Sequence, residues 1–580
     1  MANYLTPAMS LYLDQLVDWP QILKLWRGDE VDVEGEVGAF RSVLETAASL
    51  VEGFQDEARR HWADEAELTA DGGAVSPPHI CAAYERLRES GLVSLSVSEC
   101  YGGFGLPTLV NGLFLEMVSR ADPSLMMVVG LQTGAAADIE KYGSEEIKQA
   151  VLPRFTSGEF QGCMDLTEPQ AGSDLGGIQT RSTDLGGDRV RVDGQKIYIS
   201  NGGAEVHLVL ARDDDSYEES KGTTNGLSLI MVKRHRDDGT LNGLRVTRLE
   251  RKLGIHGSAT CEVLFEGAEG VRLGAKGHGF RAMLDLMNNA RLGVASQALG
   301  LAEAALHDAV VYAQQREQFG KPIAEQPMVR SILAKMSVNA EAVRALLYRT
   351  YKLVDLNLAR EAALKRTDLS EMERVEIQEE LERDSTRVRL LTPLCKYFAT
   401  EVCDDLTRDA MQVLGGIGYT MDSDVAKLHA DSLIMTVYEG TSEIQASFAL
   451  REIGKGALNV MFDHVRGELD EIAADPTRAE LVETVKEMSE RVDIAAKVLF
   501  SDIPYALLRS KLMIQMVIDV VVATEFLHQA AADENRIDLA ADWIHRCAME
   551  SEHMSKRIES GLDDRIDRDM RLFELATTSV

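Results

Sequence analysis

Tyr438-Glu439-Gly440-Thr441 puts a carboxylate between a run of helical period and a Gly-Thr turn, which is where a chain can present a catalytic base. An acidic residue beside a glycine at a helix end also reads as a solvated cap, so the stretch takes its meaning from what precedes it. Upstream lie Leu166-Thr167-Glu168-Pro169-Gln170-Ala171-Gly172-Ser173-Asp174 and then Tyr198-Ile199-Ser200-Asn201-Gly202-Gly203. Arg316-Glu317-Gln318-Phe319-Gly320-Lys321 and Gln412-Val413-Leu414-Gly415-Gly416-Ile417-Gly418 follow in that order.

The hydrophobic period changes around these stretches. Phe40, Val43, Leu44, Ala47, Leu50, Val51 and Phe54 recur at spacings of three and four, which predicts a helical opening over 34–64. Further helices are expected over 80–90, 110–120 and 123–142, the last begun by Asp122-Pro123 as cap and first-turn pair. From about Gly158 the texture turns to β: Val190-Arg191-Val192, Glu205 to Leu210, Leu227 to Val232 and Cys261 to Phe265 alternate or enrich β-branched residues between Gly, Asn and Asp. Helical period returns beyond Gly279, over 281–317, 328–358 and 392–414. Between these, 357–389 is dense in Glu, Arg and Lys and reads as an exposed helical extension with opposite charges at i and i+4. A last helical block spaces Leu481, Val482, Val485, Met488, Val492, Ala496 and Leu499, with Asp475-Pro476 expected to open it. The fold class expected is mainly α with a central β domain, divided as 1–157, 158–274, 275–455 and 456–580.

A chain of 580 residues has ample length for a large core and several domains. No apolar run reaches the ~18 residues a membrane span needs. The greasiest stretch, 512–522, is interrupted by Gln515 and Asp519 and reads as a buried helix. Residues 1–12 lack a basic region followed by an apolar core, so cytoplasmic residence is expected. Seven cysteines without a C-x-x-C pair suggest reduced core residues and no metal site. A formal charge of −33 repels phosphate backbones, which makes nucleic acid a poor partner and requires a local basic patch for any polyanionic ligand.

Taken together and in order, the quoted stretches resemble the acyl-CoA dehydrogenase family of flavoenzymes, from roughly Leu92 to Ile453. The resemblance implies an N-terminal helical domain, a β-barrel-like middle domain and a C-terminal helical bundle, with 457–580 similar to the helical extension of very-long-chain and methylthiopropionyl-CoA enzymes. In those longer members the extension goes with dimers, so a homodimer or a dimer of dimers is expected.

The implied reaction is FAD-dependent α,β-dehydrogenation of an acyl-CoA thioester to the trans-2-enoyl-CoA, with electrons passed to an electron-transfer flavoprotein. Glu439 matches the family's base, and its backbone N–H matches a donor to the thioester oxygen, a role worth ~3 to 4 kcal/mol when preorganised. Leu166 and Thr167 match positions that address the flavin pyrimidine edge, and Ser173 one that lies between flavin and the pantetheine arm. Tyr198 stands where a flavin-flanking Trp is common, and Ser200 matches a hydroxyl near N5. Arg316, Gln318 and Phe319 match residues that hold a neighbouring subunit's flavin, while Gln412 and Gly416 match contacts to its pyrophosphate and adenosine. Thr441 and Glu443 match the turn that meets the adenine dinucleotide, where Gln often replaces Glu. Asn288, Arg291, Tyr438 and Gly440 fall on the substrate side. Leu125 to Gln132 matches the floor of the acyl pocket, with Gly130 in place of a larger residue: room for a bulky acyl group, or eased helix packing. His429 reads as structural.

Sequence alone leaves an acyl-CoA oxidase on the same scaffold open. A flavin-bearing relative with a DNA-protective or binding role is opposed by the charge and by an intact Glu439. Desulfination is disfavoured because those relatives lack the base.

Overall fold

A computed structural model of the chain describes residues 4–561 and 565–577. It divides into two compact units: Phe40–Val329 with Cys403–Met435 and the residues up to Leu5, and Thr6–Ala39 with Arg330–Val402 and the chain from Thr436 on.

In the first unit the β texture becomes β1 (Gly162–Asp165), β2 (Arg181–Gly186), β3 (Arg189–Ser200), β4 (Val206–Asp213), β5 (Leu227–Lys233), β6 (Leu244–Leu249) and β7 (Thr260–Leu273). β4 pairs with β2, β2 with β3, β3 with β7, β7 with β5 and β5 back with β4, so these strands close into a ring. β1 joins β4 in parallel and β6 joins β7 antiparallel. β3 alternates as expected, Val190 and Val192 turning inward while Arg189 and Arg191 face water. β4 is buried along its whole length: Val209 and Ala211 join the barrel interior, whereas Leu208 and Leu210 pack with Ile139, Leu152 and Phe155 of the helical layer. Asp122 caps Pro123–Tyr142 as its sequence predicts, its Oδ1 accepting the N–H of Ser124 at 2.8 Å and of Leu125 at 3.2 Å. Helices Thr108–Ala121 and Gly279–Gln315 approach so closely that a β carbon on Gly300 would run into the Glu116 carbonyl.

In the second unit the apolar helix Ser510–Ala532 is the centre. Met513, Ile514, Val517, Val521 and Phe526 are fully buried, and helices Ser442–Gly454, Ala457–Ile472, Ala479–Leu499 and Ile537–Glu559 pack around it. Its buried Glu525 pairs with Arg349 and Lys352, each at 3.0 Å, and accepts the Tyr12 hydroxyl at 2.8 Å. Arg349 also reaches Glu468 at 2.5 Å, so a chain of charges ties this helix to Pro327–Lys365 and Ala457–Ile472. No helix among the described residues is long and apolar enough to cross a membrane.

Several local expectations are corrected. The helix expected over 34–64 is interrupted after Glu52 and resumes as Gln55–Arg60, the break falling at Gly53. The segment 357–389 does not simply face solvent: Arg360, Asp384 and Arg387 are buried, with Arg360 on Asp384 at 2.6 Å and Arg387 on Asp384 at 2.9 Å. Asp475 caps the turn ahead of Ala479–Leu499 by accepting the Thr477 N–H at 2.9 Å, so Asp475-Pro476 does not open the helix itself. Five cysteines are buried, but Cys81 and Cys100 are exposed; all seven are free.

Candidate functional site

On the barrel, β3 and β7 shift register once after Val192, pair on to Lys196 opposite Val263, slip again, and resume at Ile199 opposite Cys261. Inside the slip Tyr198 takes φ 60°, and its ring stands 61 % exposed on the surface. The Ile197 N–H, freed from the ladder, donates to the Thr167 carbonyl at 2.9 Å. Beneath, the fully buried Lys196 donates from Nζ to the carbonyls of Leu166 and Leu210 and to Glu168 Oε1, each at 2.8 Å. Glu168 further accepts the N–H of Gln179 at 2.7 Å and of Thr180 at 3.0 Å. Burial pushes the Glu168 carboxyl up, but Lys196 and these donors prevail and hold it below the usual range. The strand end that carries Leu166 and Thr167 is thus tied to the base of the Tyr198 bulge. Ser200 is half-buried opposite Thr260, and Ser173 is exposed beside Gly172, around which there is open space. Asp174 makes the plain turn cap, accepting the Gly176 N–H at 2.9 Å.

Elsewhere in the same unit, Arg291 is buried on helix Gly279–Gln315 and donates to Asn288 Oδ1 one turn earlier at 2.8 Å. Arg316 ends that helix and is exposed. A two-residue hairpin follows, Glu317–Gln318 paired with Lys321–Pro322, with Phe319 at φ 54° and Gly320 at φ 77° forming its tip. Phe319 is 93 % exposed, which is unusual for a ring of its size. Gln412 is exposed near the end of helix Glu371–Leu414, and Gly415 and Gly416 beyond it have no neighbouring atom where a β carbon would stand. His429 is structural in its contacts, with Nδ1 on the Thr407 hydroxyl at 2.9 Å.

In the second unit, Glu439 lies on the turn before helix Ser442–Gly454, half-buried and at φ 54°, followed by Gly440 at φ 94°. Gln445 Nε2 donates to the Glu439 carbonyl at 2.8 Å and the Gly440 carbonyl at 3.2 Å, and Lys396 Nζ donates to the Gly440 carbonyl at 2.9 Å. A β carbon on Gly440 would lie 2.8 Å from that amide, at a φ of 94° that L side chains rarely adopt, so glycine is favoured there. Thr441 caps the helix, its hydroxyl accepting the Ile444 N–H at 3.4 Å. Tyr438 is half-buried before the turn. Glu443 is exposed and pairs with Lys511 of Ser510–Ala532 at 2.6 Å, a bond that lowers its carboxyl.

Non-glycine residues with positive φ among the described residues are Tyr198, Asn201, Ile255, Phe319 and Glu439. Each such conformation costs of order 1–3 kcal/mol and clusters at working sites. Tyr198, Phe319 and Glu439 are all residues the sequence singles out. It missed Lys196, Lys396 and Gln445, fully buried polar side chains bonded to backbone carbonyls, which leave no signal in residue type or period.

The acyl-CoA dehydrogenase N-terminal, middle and C-terminal domain families match residues 45–159, 163–268 and 277–454. The chain belongs to the acyl-CoA dehydrogenase family. An acyl-CoA dehydrogenase of Bacillus subtilis is 33 % identical over 368 residues, 62 % of this chain and 86 % of that one. The 3-methylmercaptopropionyl-CoA dehydrogenase of Ruegeria pomeroyi is 31 % identical over 460 residues, 75 % of this chain and 73 % of that one. An acyl-CoA dehydrogenase of Bacillus anthracis, solved in complex with FAD, superposes with a TM-score of 0.74, covering 94 % of this chain and 91 % of its own at 22 % identity. That structure extends the acyl-CoA dehydrogenase fold over the helices beyond Gly454 as well.

Proposed function

We propose that this family member is an FAD-dependent acyl-CoA dehydrogenase that converts a saturated acyl-CoA to its trans-2-enoyl-CoA. The observation that carries the reading is Glu439: a carboxylate held at a costly left-handed turn, at the position of the family's base. The residues present suit FAD. Tyr198 offers an exposed flat ring at a barrel bulge, and Gly415-Gly416 offers backbone open to a phosphate. Bound FAD supplies the acceptor for the β hydrogen and its electron pair.

This chain's own groups do the rest. A Glu439 carboxylate oxygen takes the proton from Cα, and the Glu439 N–H donates to the thioester oxygen as negative charge gathers there. Leu166, Thr167, Ser173 and Ser200 orient the flavin edge beside Tyr198; Arg316, Gln318 and Phe319 reach the flavin of a second copy; Gln412, Gly416, Thr441 and Glu443 line its dinucleotide part. Asn288, Arg291, Tyr438 and Gly440 hold the substrate. The assembly we propose is a homodimer or a dimer of dimers, with the exposed Phe319 ring facing a second copy. The electron acceptor we propose is an electron-transfer flavoprotein, and the residence cytoplasmic.

Anaerobic titration of the FAD-loaded protein with saturated acyl-CoA thioesters tests the reading. Bleaching of the oxidised flavin band is expected, and the fastest thioester names the acyl class. Rapid reoxidation by air with stoichiometric peroxide would instead place the chain among oxidases.

A further inference from the structure

Resting on the reading of Glu439 as the base, we propose that Lys396 and Gln445 are its positioning residues, a two-helix clamp that fixes where the carboxylate and the Glu439 N–H point. Two successive left-handed residues, Glu439 at φ 54° and Gly440 at φ 94°, carry the turn. Glycine has no conformational preference strong enough to keep itself there, and Glu439 is disfavoured there, so the conformation must be imposed from outside.

Side chains from two helices impose it. Gln445 is fully buried on helix Ser442–Gly454 and its amide spans both residues, donating to the Glu439 carbonyl at 2.8 Å and the Gly440 carbonyl at 3.2 Å. Both neighbours are acceptors, so the opposite amide orientation would set oxygen against oxygen. Lys396, fully buried on helix Glu371–Leu414, adds a charge-assisted bond to the Gly440 carbonyl at 2.9 Å. Five residues along the same helix, Glu401 accepts the Ser442 hydroxyl and anchors the first residue of helix Ser442–Gly454. A β carbon at residue 440 would lie 2.8 Å from the Gln445 amide, so a side chain there would push the clamp aside. In these bonds Lys396 and Gln445 meet the backbone of the turn and not its side chains, which makes them positioning residues for Glu439.

The test uses the FAD-loaded full chain and its best saturated acyl-CoA. Lys396→Met and Gln445→Met, which keep side-chain volume, are expected to slow single-turnover flavin bleaching by ~10- to 100-fold while thioester Kd and FAD content stay within about twofold, because a misplaced base is felt only in the transition state. Lys396→Arg, which can still donate, is expected to recover much of the rate. Gln445→Met leaves no new buried charge and decides the matter alone if Lys396→Met does not fold. Wild-type bleaching rates in these variants, or losses shared equally by Kd and FAD content, overturn the clamp. Glu439→Gln run alongside separates the two claims: if it still bleaches, the base assignment itself fails, whereas if it is inert and the clamp variants are normal, only the clamp fails.

Discussion

Lys196 Nζ sits 2.8 Å from Glu168 Oε1 inside the barrel, both side chains essentially inaccessible, and the same ammonium holds the carbonyl of Leu166. Removing one partner of such a pair leaves the other charged and buried, at a cost of about 3–5 kcal/mol. Lys196→Met is therefore expected to lower the thermal midpoint by several degrees and to release FAD, since the strand end carrying Leu166 and Thr167 loses its tie. Midpoint and flavin absorbance per chain check this; an unchanged flavin content would show that the pair does not support the cofactor edge.

Phe319 is exposed at a hairpin tip whose left-handed φ of 54° costs the monomer and brings it no packing. Replacing it by Ala should leave monomer stability within about 0.5 kcal/mol. If the ring reaches a second copy, Phe319→Ala shifts the sedimentation profile toward smaller species and lowers FAD retention. A variant with the assembly and flavin content of the wild type would remove Phe319 from the interface.

Burial is the largest influence on Glu525 and raises its carboxyl, yet Lys352 and Arg349 outweigh it and bring it from 4.5 to about 2. A depressed carboxylate contributes stability that is present above its unfolded value and lost as pH falls through the folded one. Unfolding midpoints are expected to drop as pH is lowered from about 4.5 toward 2, with a shallower drop in Glu525→Gln. At neutral pH the Gln variant should be destabilised by up to ~3 kcal/mol, because buried Arg349 and half-buried Lys352 lose that charge while Arg349 keeps Glu468. Parallel acid profiles in the two proteins would contradict the role given to Glu525.

The sequence made the large elements legible where period and caps agree, as in Asp122-Pro123 opening Pro123–Tyr142 and the apolar run that becomes Ser510–Ala532. Charge density misled at 357–389, because Arg360 and Arg387 are neutralised by Asp384 and Glu380 and so can be buried, which no count of charges reveals. Strands β2 and β6 escaped notice since Arg181–Gly186 and Leu244–Leu249 are rich in polar residues. The left-handed turns at Tyr198 and Glu439 leave no mark in composition. Lys396 and Gln445 were invisible for a related reason: their partners are backbone carbonyls of a distant or looping segment, and carbonyls have no residue type.

Removal of the α-proton by Glu439 is read out by anaerobic flavin bleaching in Glu439→Gln loaded with FAD. The amide keeps the size and the turn but cannot accept a proton from carbon at neutral pH, so the variant should bind FAD and thioester as the wild type does while bleaching slows by ~10²–10⁴-fold or more. Bleaching at the wild-type rate would contradict the account and send the search for the base to another residue.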